Sequence, residues 1–137
     1  MIVLDTHVLV WALIDDARLG PVARAAIDEA TAANGALVSA ITPWEIAMLV
    51  AKGRLALGQD TAVWIETALA TPGLRLAPIE PDIAVDSVQL PDPFHADPAD
   101  RFIVATARRA GAMLLTADRA ILAYAAAGHV RAADASA

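Results

Sequence analysis

The sequence predicts an α/β fold built on a parallel β-sheet that carries helices on both faces. Short apolar segments of four or five residues alternate with helical segments along the 137-residue chain, as expected for repeated strand–helix–strand units. The strand segments are almost continuously apolar, which is typical of strands covered on both faces. Right-handed crossovers then bring the carboxyl ends of the strands to one edge, where such folds bind ligands.

The first half of the chain supplies two strands and four helices. Met1–Asp5 and Ala36–Ser39 are predicted to be short buried strands because each is an apolar run bounded by polar or turn-forming residues. Glycine and proline mark where the helical segments break. Thr42 is predicted to cap the third helix in a capping box with Glu45. The helices are predicted over Thr6–Ile14, Pro21–Ala33, Thr42–Lys52 and Thr61–Ala70.

The second half of the chain continues the alternation after the turn at Thr71-Pro72-Gly73. A loop with two prolines is predicted between two of its helices, and a short edge strand is predicted at the end. We predict one domain over residues 1–132 and a short tail over 133–137. The segments are strand Leu74–Pro78, helix Asp82–Gln89, loop Leu90–Ala96, helix Asp97–Ala110, strand Met113–Thr116, helix Asp118–Ala127 and strand His129–Ala132.

Composition excludes several classes of protein. The chain has no cysteine, which removes thiol catalysis, zinc ribbons and disulfide frameworks. Its net charge of −6 argues against nucleic-acid binding by bulk electrostatics but leaves room for an enzyme that acts on nucleic acid. The longest apolar run, Ala120–Ala127, is too short to span a membrane. No basic region precedes Val8–Ile14, so we expect no signal peptide and a soluble, cytoplasmic protein.

Five acidic residues fall at the predicted ligand-binding edge. Asp5 ends the first strand, Glu45 lies in the first turn after the second strand, and Asp118 follows the fourth strand by two residues. Asp97 and Asp100 open the helix that leads into the fourth strand. Helix capping, at about 1 kcal/mol, is the favoured explanation of Asp97, whereas capping and ligand binding explain Asp118 equally well. It does not explain Asp5, because an unpaired carboxylate behind a buried strand costs several kcal/mol.

Convergent carboxylates without cysteine or paired histidines form an oxygen-only ligand set. Such a set suits Mg²⁺ or Mn²⁺ and not zinc or copper. Hard cations held by carboxylates and water commonly serve phosphoryl chemistry, because the metal activates a water and neutralises phosphate charge. The residues alone therefore predict a Mg²⁺ or Mn²⁺ site for work on phosphate esters.

Four segments carry these acids in order along the chain: Asp5–Trp11, Ser39–Ile46, His95–Phe102 and Leu115–Asp118. As an ordered set they resemble the PIN-domain ribonucleases, and within them the VapC toxins of type II toxin–antitoxin modules. The resemblance runs from Met1 to about Val130. It implies a three-layer α/β/α sandwich around a mostly parallel five-stranded sheet, and Mg²⁺- or Mn²⁺-dependent endonucleolytic cleavage of RNA by metal-activated water.

Residue by residue, the resemblance implies a catalytic acidic quartet. Asp5 and Asp100 would be the principal metal ligands, Asp118 would complete the metal shell, and Glu45 would bind a second metal or orient the attacking water. The resemblance also implies a homodimer and a cognate VapB-like antitoxin that blocks the site. Surplus apolar residues on the helices after the first two strands, such as Leu55, agree with such a partner surface.

Three further residues are predicted to support the quartet. Asp97 lies one helical turn before Asp100, so it would contact the ligands from behind in addition to capping its helix. Thr6 and Thr116 follow and precede the acids closely enough to hydrogen-bond them or the phosphate.

Basic residues and histidines near the acids are open to two interpretations. Arg101, Arg108 and Arg119 are candidate contacts to RNA phosphates, although a solvated helix face explains them as well. His7 is predicted to pack or face the rim of the site. His95 is predicted to be a loop residue or an outer contact of the ligands and not a ligand itself.

Three alternative functions stay open at this point. A PIN-like domain retained only as a binding scaffold would keep the same residues. A receiver-like signalling domain needs adjacent acids after the first strand and a late lysine, but no lysine follows Lys52. A haloacid-dehalogenase-like phosphatase needs Asp-x-Asp after the first strand, where this chain has Asp5-Thr6-His7.

Overall fold

Five strands alternate with seven helices in the computed structural model, which describes residues 1–137. The strands are β1 Ile2–Leu4, β2 Ala36–Ser39, β3 Leu74–Ala77, β4 Met113–Thr116 and β5 Ala132–Asp134. The helices are α1 Thr6–Leu13, α2 Pro21–Ala32, α3 Ile41–Ala51, α4 Thr61–Leu69, α5 Pro81–Val88, α6 Pro98–Ala110 and α7 Arg119–Ala126. None of these helices combines the length and the apolar character that crossing a membrane requires.

The strands form one sheet in the order β3-β2-β1-β4-β5, and every neighbouring pair is parallel. The prediction of a mostly parallel five-stranded sheet is therefore confirmed. The chain builds outward from β1 to β3 and then returns to place β4 on the other side of β1. The carboxyl ends of β1 and β4 consequently flank the point where the strand order reverses, which is where open α/β sheets bind their ligands.

Helices cover both faces of the sheet, so the predicted three-layer sandwich is also confirmed. Consecutive strand residues point to opposite faces. Leu4 joins the apolar core formed with α1 to α4, whereas Val3 joins the second core formed with α6 and α7. Both side chains are fully buried, which is why the strands are apolar without alternation.

The predicted cap of α3 and the predicted position of β5 are wrong. Helix α3 begins at Ile41 and has no side-chain cap, because the Thr42 hydroxyl lies 3.0 Å from the Thr6 hydroxyl and is not available for capping. Strand β5 lies at Ala132–Asp134 and not at His129–Ala132, and it pairs with β4. Residues beyond 132 are thus part of the packed sheet edge: Ala135 is buried and its carbonyl accepts the Gly20 N–H at 2.9 Å.

Candidate metal centre

Three of the predicted acids cap helices and still face the same edge of the sheet. Asp5 follows β1 and accepts the Thr6 N–H at 2.9 Å. Asp97 accepts the Asp100 N–H at 3.3 Å at the start of α6. Asp118 accepts the Ile121 N–H at 3.1 Å at the start of α7. Capping and convergence are therefore compatible, and a helix N-terminus also favours the ionised form of a carboxylate.

A buried threonine joins the ends of the two central strands. Thr116 is fully buried, and its hydroxyl donates to Asp5 Oδ2 at 2.7 Å. The Thr116 hydroxyl oxygen in turn accepts the Asp118 N–H at 3.0 Å. Asp5 itself is only 2% exposed, so its orientation is set by Thr116 and by the Thr6 N–H and not by solvent.

Four of the acids, together with His95, form two overlapping groups of ligand atoms. Carboxylate oxygens of Glu45, Asp97 and Asp100 lie within 4.8 Å of one another. Oxygens of Asp100 and Asp118 and a ring nitrogen of His95 lie within the same distance of one another. Asp100 belongs to both groups, and its side chain is only 13% exposed. Asp100 thus links Glu45 on one side with Asp118 on the other, and the charge of the buried Asp5 is close enough to act on Asp100.

The carboxylates shift one another's ionisation. Burial, followed by the charges of Asp5, Asp97, Asp118 and Glu45, raises the pKa of Asp100 to about 8. Burial is also the main cause that raises the pKa of Glu45, and a hydrogen bond with Thr6 partly opposes it. Burial raises the pKa of Asp5, against the opposing effects of His7 and the Thr116 hydrogen bond.

This electrostatic pattern fits a cation site. Negative charge is concentrated where few cationic groups balance it, so the carboxylates must share either protons or a bound cation. The donors are predominantly oxygens, as a hard divalent cation requires. The chemistry of the residues therefore suits Mg²⁺ or Mn²⁺.

Two histidines lie closer to the acids than their sequence positions suggested. His95 Nδ1 accepts the Asp97 N–H at 3.4 Å, which places the ring proton on Nε2, 3.2 Å from Asp100 Oδ2. His7 Nε2 accepts the Ala117 N–H at 3.1 Å, and its Nδ1 lies 3.6 Å from Asp5 Oδ2. The position of His95 two residues before a helix cap was the one available signal that its ring would meet the first turn of α6.

The three candidate arginines differ in what they contact. Arg108 donates to the His129 carbonyl, and its Nε lies 3.5 Å from Asp86 Oδ2. Arg119 is exposed and makes no hydrogen bond within the chain. Arg101 donates to four backbone carbonyls, those of Ser87, Val88, Phe94 and His95, at 2.8–3.3 Å. Arg101 and Arg108 thus have internal roles, and Arg119 alone points its charge to solvent.

Comparison with known proteins gives a consistent result. Residues 2–127 match the family model of the PIN domain. The chain is 36% identical over 118 residues to Ribonuclease VapC22 of Mycobacterium tuberculosis, which covers 86% of this chain and 87% of that protein. A toxin–antitoxin complex from Klebsiella pneumoniae is similar with a TM-score of 0.55 and 25% identity, over 86% of this chain and 87% of that chain. VapBC2 from Rickettsia felis, bound to a DNA fragment from their promoter, shares the fold with a TM-score of 0.69 and 17% identity over 98% of both chains.

Proposed function

The chain belongs to the PIN domain family, and we propose that it is an endoribonuclease toxin of a type II toxin–antitoxin module that uses Mg²⁺ or Mn²⁺ to hydrolyse RNA. The observation that carries the proposal is the pair of ligand groups that share Asp100, one containing Glu45 and one containing Asp118, close to the buried Asp5 at the carboxyl edge of a parallel sheet. Family membership also weighs against the receiver-like and dehalogenase-like alternatives.

Each acid has a distinct proposed task. Asp5, Asp100 and Asp118 would hold the cation, and Glu45 would bind a second one or orient the attacking water. A divalent cation in such a site supplies an activated water and neutralises phosphate charge. Thr116 fixes Asp5 Oδ2 in direction, and Asp97 anchors the first turn of α6 that carries Asp100. The site is thus pre-organised by hydrogen bonds that do not need the cation.

The exposed residues near the site suggest where RNA and partners would lie. Arg119 follows Asp118 and is the candidate phosphate contact with a free guanidinium. Trp44 is adjacent to Glu45, and 52% of its surface is exposed. A partner that binds Trp44 would therefore contact the first turns of α3, the helix that carries Glu45.

We assign the role of this partner to a cognate VapB-like antitoxin. The similar structures named above include toxin–antitoxin complexes, and apolar side chains are exposed on α1 and α4 as well, at Leu13 and Val63. Leu55 and Leu57, by contrast, pack partly against the core, so substitutions there would disturb folding. Trp44→Ala is therefore the better variant for testing antitoxin binding. The homodimer is tested by measuring the mass of the partner-free protein in solution.

The activity is tested by incubating total RNA with purified, partner-free protein in Mg²⁺, in Mn²⁺ and in EDTA. The Asp5→Asn variant is run beside the wild type. Asp28→Asn serves as the matched control, because Asp28 is exposed on α2 and its carboxylate makes no contact. We expect discrete fragments that require metal, vanish with Asp5→Asn and persist with Asp28→Asn.

The contrary outcomes are equally definite. Fragments that persist in EDTA or with Asp5→Asn would refute the role proposed for the acids. A folded wild type that binds Mg²⁺ and cleaves no RNA would favour the idle-scaffold alternative. Binding of Mg²⁺ is measured separately by isothermal titration calorimetry. The proposed metal site and the proposed nuclease activity are therefore tested independently.

A further inference from the structure

An aromatic cleft of 650 Å³ lies between the loop before α6 and the exposed side of α7. Four rings line this aromatic cleft: Phe94, His95, Tyr124 and His129. The Phe94 ring centroid lies 4.4 Å from those of His95 and Tyr124, and the Tyr124 centroid lies 4.7 Å from that of His129. Tyr124 is only 4% exposed, so the half-buried rings of Phe94, His95 and His129 supply the aromatic surface that a ligand in the cleft reaches.

Small side chains of α7 and its C-cap keep the cleft open on the opposite side. Ala120, Ala123 and Ala127 line it, and all three are exposed. Their spacing of three and four residues places them on one face of the helix. Any larger side chain at these positions would fill the space beside the rings.

The aromatic cleft is continuous with the acidic site through two residues. His95 lines the cleft, and its Nε2 lies 3.2 Å from Asp100 Oδ2. Asp118 caps α7 immediately before the stretch of that helix that lines the cleft. A phosphate held through a cation at Asp100 and Asp118 would thus have its attached nucleoside beside the rings.

We propose that the aromatic cleft binds a nucleobase of the RNA next to the scissile phosphate. The inference rests on the proposed function and adds a base-binding subsite to it. Stacking on aromatic rings binds any base, because every base has a π face. The chain has a net charge of −6 and uses Arg101 and Arg108 internally, so Arg119 is the one candidate phosphate contact of the three that remains. Stacking of the base on the rings supplies affinity for RNA that so few phosphate contacts do not.

The test uses nucleotides that the enzyme cannot cleave. AMP and CMP are titrated into ¹⁵N-labelled full-length protein in Mg²⁺ and followed by NMR, and ribose 5-phosphate serves as the base-free probe. Ala123→Leu fills the cleft without removing a contact. Ala126→Leu is the matched control, because Ala126 is exposed on the same helix and lies outside this cleft.

We expect AMP and CMP to shift the amide signals of Ala120, Ala123 and Ala127, and ribose 5-phosphate to leave them in place. Ala123→Leu should weaken AMP binding by about ten- to a hundredfold, as loss of one stacked base predicts. Ala126→Leu should bind AMP like the wild type. Thermal unfolding of both leucine variants confirms that each is folded.

The proposal is overturned if AMP shifts only signals near the acids, or if Ala123→Leu binds AMP as tightly as the wild type. RNA cleavage measured on the same samples separates the two proposals. Cleavage without occupancy of the cleft would refute the subsite and leave the nuclease standing. Occupancy of the cleft by AMP in a protein that cleaves no RNA would refute the nuclease and leave the cleft as a nucleotide-binding site without a scissile phosphate.

Discussion

Two charged regions adjoin His95, and they differ in whether their charges are compensated within the chain. On one side, the acids around Asp100 lie close together, and burial followed by their mutual repulsion raises the pKa of Asp100 to about 8. On the other side, the single guanidinium of Arg101 donates to four carbonyls of residues 87–95. The nearby Tyr124 hydroxyl likewise donates to the Pro91 carbonyl at 2.6 Å.

This difference distinguishes residues that stabilise the fold from residues that are arranged to bind a ligand. A buried charge with its partners in place stabilises the fold, whereas a buried charge without them destabilises it. The Arg101 region is satisfied within the chain and needs nothing from outside. The acidic region is unsatisfied within the chain, which is the pattern expected of residues arranged for a ligand.

The largest expected effect is that of Asp100→Asn on catalysis. Even outer contacts of a metal site contribute about ten- to a hundredfold, so loss of a proposed ligand should reduce cleavage by more than about a hundredfold. The same variant should unfold at the same or a higher temperature than the wild type in EDTA at pH 8, because it removes a repelled, buried carboxylate. RNA cleavage and thermal unfolding on one sample measure both effects.

An Asp100→Asn protein that is both inactive and clearly less stable in EDTA would contradict this assignment of Asp100. Such a result would mean that Asp100 is a structural residue like Arg101. Asp28→Asn, on the exposed face of α2, provides the baseline for both measurements.

Arg101→Met should produce the opposite signature. It removes hydrogen bonds from a charged donor to several partly buried carbonyls, so we expect a loss of about 2–4 kcal/mol in the free energy of unfolding. Catalysis should suffer less than with Asp100→Asn, because no proposed ligand is lost. Urea unfolding measures the loss, and Arg109→Met, exposed on the same helix, is the control. Equal stability of the two methionine variants would show that the four carbonyls do not need Arg101.

Local sequence signals were sufficient to predict the elements whose positions depend only on neighbouring residues. Strands β2 and β4 lie at the predicted residues, because each is a short apolar run between clear breaks. The start of α3 was not predictable in this way, since it depends on Thr6, 36 residues earlier in the chain. Strand β5 has the weak sequence Ala-Ala-Asp, and its position is set by pairing with β4.

The candidate site shows the same division. The convergence of the acids followed from the parallel topology, because strand ends and helix starts meet at one edge. The contacts of Arg101 did not follow, since the residues of its four carbonyl partners lie 6–14 positions earlier in a loop and a different helix. His95 was ambiguous for the same reason: only the folded loop brings its ring to Asp100.

Thr116→Val tests a satisfied group inside the unsatisfied region. The hydroxyl has both of its hydrogen-bond partners, Asp5 Oδ2 and the Asp118 N–H. Valine keeps the shape and leaves those buried groups unpaired, so we expect a loss of about 1–2 kcal/mol and weaker Mg²⁺ binding. Thr116→Ser retains the hydroxyl and should restore the Mg²⁺ affinity. Urea unfolding and calorimetry give the two values, and equal Mg²⁺ affinities of the valine and serine variants would contradict the role of the hydroxyl.

The smallest expected effect is a pH dependence that only the acidic region should cause. Because the pKa of Asp100 is about 8 in the folded protein and 3.8 ordinarily, the folded state binds the extra proton between these values. Its contribution to stability is therefore complete below about pH 4 and is lost as the pH rises towards 8. In EDTA, the wild type should lose at least about 1 kcal/mol more than Asp100→Asn between pH 5 and pH 8, the equivalent of one pKa unit. Urea unfolding of both proteins at the two pH values measures this difference.

Mg²⁺ at pH 8 should restore the stability of the wild type alone, because the cation replaces the proton among the carboxylates. Parallel pH profiles of the two proteins would mean that Asp100 is compensated within the chain, and the contrast with Arg101 would disappear.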